Sequence, residues 1–148
     1  MRWLHGAPWK RHAASVDRAL PAFGARALER LHGKVLKQAG GLDWLDAEAR
    51  HALRIRVKRL RYGCEFFASS FPRASVWPYI KSLEALQDIL GELNDAAVAR
   101  RFLHALGPDP ASALVRRELS ARERRLIASV EPAWAAFEKR RPFWRPRG

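Results

Sequence analysis

Between His51 and Phe67, five apolar residues recur at intervals of three and four: Leu53, Val57, Leu60, Cys64 and Phe67. At 100° per residue they gather on one stripe, the pattern of a helix that buries a single face. His51, Arg54, Lys58, Arg61, Tyr62 and Glu65 gather on a separate stripe of the same helix. Arg54, Lys58 and Arg61 sit at i, i+4 and i+7, so their head groups rise along one line of about 10 Å. Like charges stacked in this way repel by a few tenths of a kcal/mol per pair. A bundle gains nothing from such a line unless an anion lies along it.

The rest of the chain repeats the helical spacing. Phe23, Ala27, Leu28, Leu31, Val35 and Leu36 predict a helix over 21–39, closed by Gly40-Gly41. Asp43 or Asp46 can cap the second helix, predicted over 46–70. The third is predicted over 75–106, with Pro78 in its first turn and Gly107-Pro108 at its end. Asp109-Pro110 is a cap followed by a first-turn proline, which starts a fourth helix over 110–141, kinked at Pro132. Residues 1–20 predict a helical scrap and a linker ending near Pro21, ahead of a domain over 21–148. No segment alternates apolar and polar residues beside hairpin turns. The expected fold is therefore all-α, a four-helix bundle with short loops.

Charge narrows the function. Lys and Arg number 28 against 15 Asp and Glu, a net charge of +13, and 22 of the 28 cations are arginine. An excess of this size concentrates polyanions, and the planar guanidinium takes phosphate oxygens two at a time. A GC-rich gene also inflates arginine, so position matters more than number. Arg26, Arg30, Lys34 and Lys37 fall at i, i+4, i+8 and i+11, a second basic ladder expected to line one groove with the first. The single Cys64 excludes an internal disulfide and a cysteine-based zinc site. No stretch approaches the roughly 20 apolar residues of a membrane span, and no apolar signal core follows the N-terminus. The expected location is the cytoplasm.

In the third helix, Gln87, Asn94 and Asp95 share a face. Asp95 is expected to orient an arginine, while Gln87 and Asn94 hold a helix contact or a phosphate oxygen. Gly91 costs roughly 1 kcal/mol relative to alanine, and close approach of a neighbouring helix is the expected reason for it.

Together, His51-x-x-Arg54…Lys58-Arg59-Leu60-Arg61-Tyr62-x-x-Glu65 and Leu86-Gln87-x-x-Leu90-Gly91-x-x-Asn94-Asp95 resemble the CHAD family, the conserved histidine α-helical domain. The resemblance spans roughly residues 21–106. It implies an all-helical domain of two similar four-helix halves that binds inorganic polyphosphate in a basic groove, without a cofactor. On the matching positions it implies that His51, Arg54, Lys58, Arg59, Arg61 and Tyr62 contribute to the groove. Glu65, Gln87, Asn94 and Asp95 would hold that surface in place. The chain resembles only the second half of such a domain, so a homodimer that rebuilds the groove is one expectation. Docking on polyphosphate granules and partnership with a triphosphate-processing enzyme are others. Two further classes stay open. One is a nucleic-acid-binding basic module. The other is a metal-dependent phosphohydrolase with His51 as general base and Glu65 or Asp95 as a ligand.

Overall fold

The computed structural model describes residues 8–107 and 109–146, with side chains from residue 19 onward. Four α-helices follow in order, α1 (Pro8–Ala39), α2 (Ala47–Phe67), α3 (Arg73–Ala105) and α4 (Pro110–Glu138), with a short 3-10 turn at Ala68–Ser70. No strand occurs among the described residues. Each helix packs on its neighbours in the chain, α1 on α2, α2 on α3 and α3 on α4.

The ends have local causes. Asp46 caps α2, its carboxylate accepting from the N–H groups of Glu48 and Ala49 at 2.9 and 3.2 Å. Asp109 and Ser112 form a reciprocal capping box at α4, satisfying donors that the first turn leaves free. Gly41 and Gly107, each just beyond a helix, adopt positive φ of 73° and 83°, a conformation that side chains other than glycine's resist.

One boundary departs from expectation. Helix α1 begins at Pro8 and runs through Pro21, where a start near residue 21 was predicted. A proline inside a helix removes one ladder hydrogen bond, and here the helix continues across that loss. Part of the predicted N-terminal scrap, residues 1–7, lies outside the described residues. Helix α4 likewise continues through Pro132.

The core joins all four helices. Leu28 and Val35 of α1, the whole predicted α2 stripe, Val76, Tyr79, Ile80, Leu83, Leu86 and Leu90 of α3, and Val130 and Phe137 of α4 are buried together. Two close approaches fix the α1–α2 pair. A Cβ on Gly63 would stand 2.9 Å from Leu31 Cδ1, and one on Gly24 would stand 2.8 Å from Phe67 Cδ1. Gly91 is different, because a Cβ there would meet only Arg54 Nε, at 4.0 Å. No helix closes on it; the glycine leaves room for the Arg54 guanidinium.

The tail after α4 folds back on α1. Glu29 accepts from the Trp144 indole N–H at 2.8 Å and from Arg145 at 2.6 and 3.0 Å. Trp144 thereby covers the buried His32, with ring centroids 5.8 Å apart.

Candidate anion-binding groove

Helix α2 has two flanks. On one, Arg56 donates to Gln38 of α1 at 3.1 Å and Gly63 meets Leu31. On the other, Arg61 Nε donates to Gln87 at 2.9 Å, His51 Nδ1 bonds Asn94 Oδ1 at 2.7 Å, and Arg54 lies by Gly91. The predicted line His51, Arg54, Lys58, Arg61 therefore borders the α2–α3 groove.

The α3 residues aim this line. Asn94 turns its Nδ2 toward Asp95 Oδ1 at 3.5 Å, which leaves Oδ1 to accept from His51. An amide oxygen only accepts, so His51 carries its hydrogen on Nδ1 and presents Nε2 elsewhere. Gln87 and Glu65 hold Arg61 from two sides, the ion pair to Glu65 closing at 2.6 Å. Tyr62, 49% exposed, lies under both Lys58 and Arg61, at 5.5 and 4.8 Å from its ring centre. Such contacts are worth about 0.5–1 kcal/mol at exposed sites, enough to offset the repulsion between the two cations.

Among the described residues neither Arg54 nor Lys58 makes an ion pair, and the buried Nε of Arg54 has no hydrogen-bond partner. Among the described residues, then, Arg61 is the one of the three aligned cations that an acid matches. Asp95 makes no ion pair with an arginine among the described residues; its hydrogen-bond neighbour is Asn94. Arg59 is exposed and lies off the groove, on the α1 side of α2.

The largest departure concerns α1. Arg26, Arg30, Lys34 and Lys37 are all exposed on the side of α1 opposite Leu28 and Val35. Because α1 packs on the far flank of α2, the two ladders do not line one groove. Helical spacing within each segment was legible, but it carries no information on which flank a neighbouring helix takes.

Two arginines outside both basic ladders close the His51 end. Arg100 and Arg101 line a cleft of about 280 Å³ with Ala47, Glu48, His51, Asn94 and Ala97. Arg101 stands seven residues after Asn94, on the same face of α3, a spacing that could have revealed it. Arg100 pairs with the buried Glu123 of α4, which also holds the buried Arg50 at 3.0 Å.

Cations in this arrangement suit the holding and orienting of an anion. The nearby thiol is no nucleophile, since burial pushes the Cys64 pKa up to about 12, and thiol chemistry needs the thiolate. Among the described residues no group of three or more His, Cys, Asp or Glu is placed to hold a metal ion. No helix among them is long and apolar enough to cross a membrane.

Fold and site together define an all-helical protein with a line of cations set beside an interhelical groove. The chain belongs to the CHAD domain family, whose model matches residues 1–104, a stretch that contains the whole α2–α3 constellation. No curated protein and no solved structure matches it. The CHAD domain is associated in general with polyphosphate binding, and in general it is a non-catalytic binding module.

Proposed function

We propose that this protein binds inorganic polyphosphate along the α2 line, without hydrolysing it, and that this binding recruits it to polyphosphate granules. One observation carries the reading. Among the described residues Arg54 and Lys58 stand aligned and without acidic partners, while His51 and Arg61 on either side of them are aimed by Asn94, Gln87 and Glu65. A chain of phosphates laid in the groove would satisfy both with charge-assisted bonds.

The test is a titration of fluorescent polyphosphate against wild type and R54Q/K58Q/R61Q. At about 1 kcal/mol per screened contact, the triple variant binds about a hundredfold more weakly. Its dependence of affinity on salt is shallower by two to three contacts, because fewer counter-ions are released. Unchanged affinity in a variant with wild-type circular dichroism would end the proposal. Nucleic acid is the competing polyanion. Displacement of polyphosphate by DNA at equal phosphate concentration would show general polyanion binding instead.

A further inference from the structure

The α1 ladder has no role in the α2–α3 groove, yet it has the features of a binding surface. Arg26, Arg30, Lys34 and Lys37 span twelve residues of helix, a rise of about 16 Å, all on the exposed side. None of the four makes an ion pair among the described residues. The one acid of α1 within residues 19–39, Glu29, is taken by the tail through Arg145 and Trp144. The clasp thus takes up the acid that stands within the ladder's own stretch of helix, and Arg59 joins the ladder from the near side of α2.

Between the two cation lines lies the outer face of α2. Helical phase places Ile55, Tyr62 and Phe66 there, with Phe66 77% exposed and Tyr62 49%. A phosphate chain crossing this ridge would give up cation contacts against apolar surface.

We infer that α1 carries a second, independent polyanion site, so that one protein molecule holds two phosphate chains and cross-links them. The ligand class rests on the polyphosphate reading above; the separateness of the sites rests on geometry alone. Two-site binding turns a protein that docks on polyphosphate into one that condenses it, since each molecule joins two chains.

Calorimetric titration with tripolyphosphate at low salt tests this. That ligand is too short to bridge both faces, because neighbouring helix axes alone stand about 8–10 Å apart. Wild type should bind two equivalents. R26Q/R30Q/K34Q/K37Q should bind one, and R54Q/K58Q/R61Q should bind the other one. R117Q/R124Q/R125Q/R140Q, which removes the same charge from exposed positions in and just after α4, should still bind two. With long-chain polyphosphate, light scattering should show growing assemblies for wild type and single-chain complexes for the α1 variant. A wild-type stoichiometry of one, lost in the α2 variant, would overturn the second site and leave the proposed function standing. Two equivalents retained in the α2 variant, with one lost in the α1 variant, would overturn the groove assignment and keep the α1 site. Equal losses in the α1 and α4 variants would overturn the inference by reducing the ladder to net charge.

Discussion

Replacing Glu123 by leucine isolates the interaction that ties α4 to the site. Glu123 and Arg50 are 7% and 3% exposed and form an ion pair at 3.0 Å. The Arg50 guanidinium has one further acceptor, the Trp44 carbonyl. Burial, with the nearby Arg100 charge, already lowers the Arg50 pKa, so the fold holds this cation against a desolvation cost that Glu123 offsets. Breaking a buried pair from one side costs about 3–5 kcal/mol, because the remaining charge stays buried. Arg100 adds little to that, being 52% exposed at its side chain and free to turn into water. For a chain of this size each kcal/mol lowers Tm by about 2–4 °C, so E123L should melt about 6–20 °C below wild type. Removing both charges should restore most of the loss, because a buried pair is commonly replaceable by apolar groups. Thermal melts of E123L, R50L and R50L/E123L form the cycle. E123L within about 1 kcal/mol of wild type would refute the reasoning, since Arg50 would then have reached solvent.

Three further outcomes follow from the packing and the charges. Gly91→Ala should stabilise the protein by up to about 1 kcal/mol through helix propensity, whereas Gly24→Ala should destabilise it by about 1–3 kcal/mol as its Cβ meets the Phe67 ring; urea melts that rank them in the opposite order would contradict the assigned contacts. Burial lowers the His32 pKa, so the unfolded chain takes up a proton near pH 6.5 that the native state refuses, and stability falls as pH drops from about 7 to 5. His32→Phe should flatten that part of the profile, and parallel slopes for the two proteins would count against it. The Arg145 hydrogen bond holds the Glu29 carboxyl down at about 2, so the tail clasp keeps its contribution above the ordinary carboxylate range and loses it as pH falls toward that value. Hydrogen exchange of the Trp144 indole should stay protected at pH 5, and loss of protection there would contradict the clasp.

Much of the fold was written in apolar spacing. All five residues of the α2 stripe, Leu53 to Phe67, are buried in the core, because period 3.6 places them on one side whatever the neighbours are. Caps were legible for the same local reason, as at Asp46 and Asp109. Pro21 misled, because a proline's cost of about 3 kcal/mol is a local expectation and α1 runs through it. Gly91 misled in another way, since propensity identifies an unusual glycine but not the neighbour it accommodates. The Arg50–Glu123 pair joins residues 73 positions apart, and the Glu29–Arg145 clasp joins residues 116 apart. No local pattern announces such pairs. The site followed the same division: the cation line was visible within α2, and its supports Gln87 and Asn94 within α3. That the α1 ladder belongs to another face depended on how three helices pack.

The most direct measurement follows the side-chain resonances of the groove by NMR while short polyphosphate is added. The Nε–H signals of Arg54 and Arg61, the Lys58 ammonium and the Asn94 amide should shift together and saturate at one affinity. Shifts that spare Arg54 and Lys58 while surface arginines of α4 respond would contradict the account.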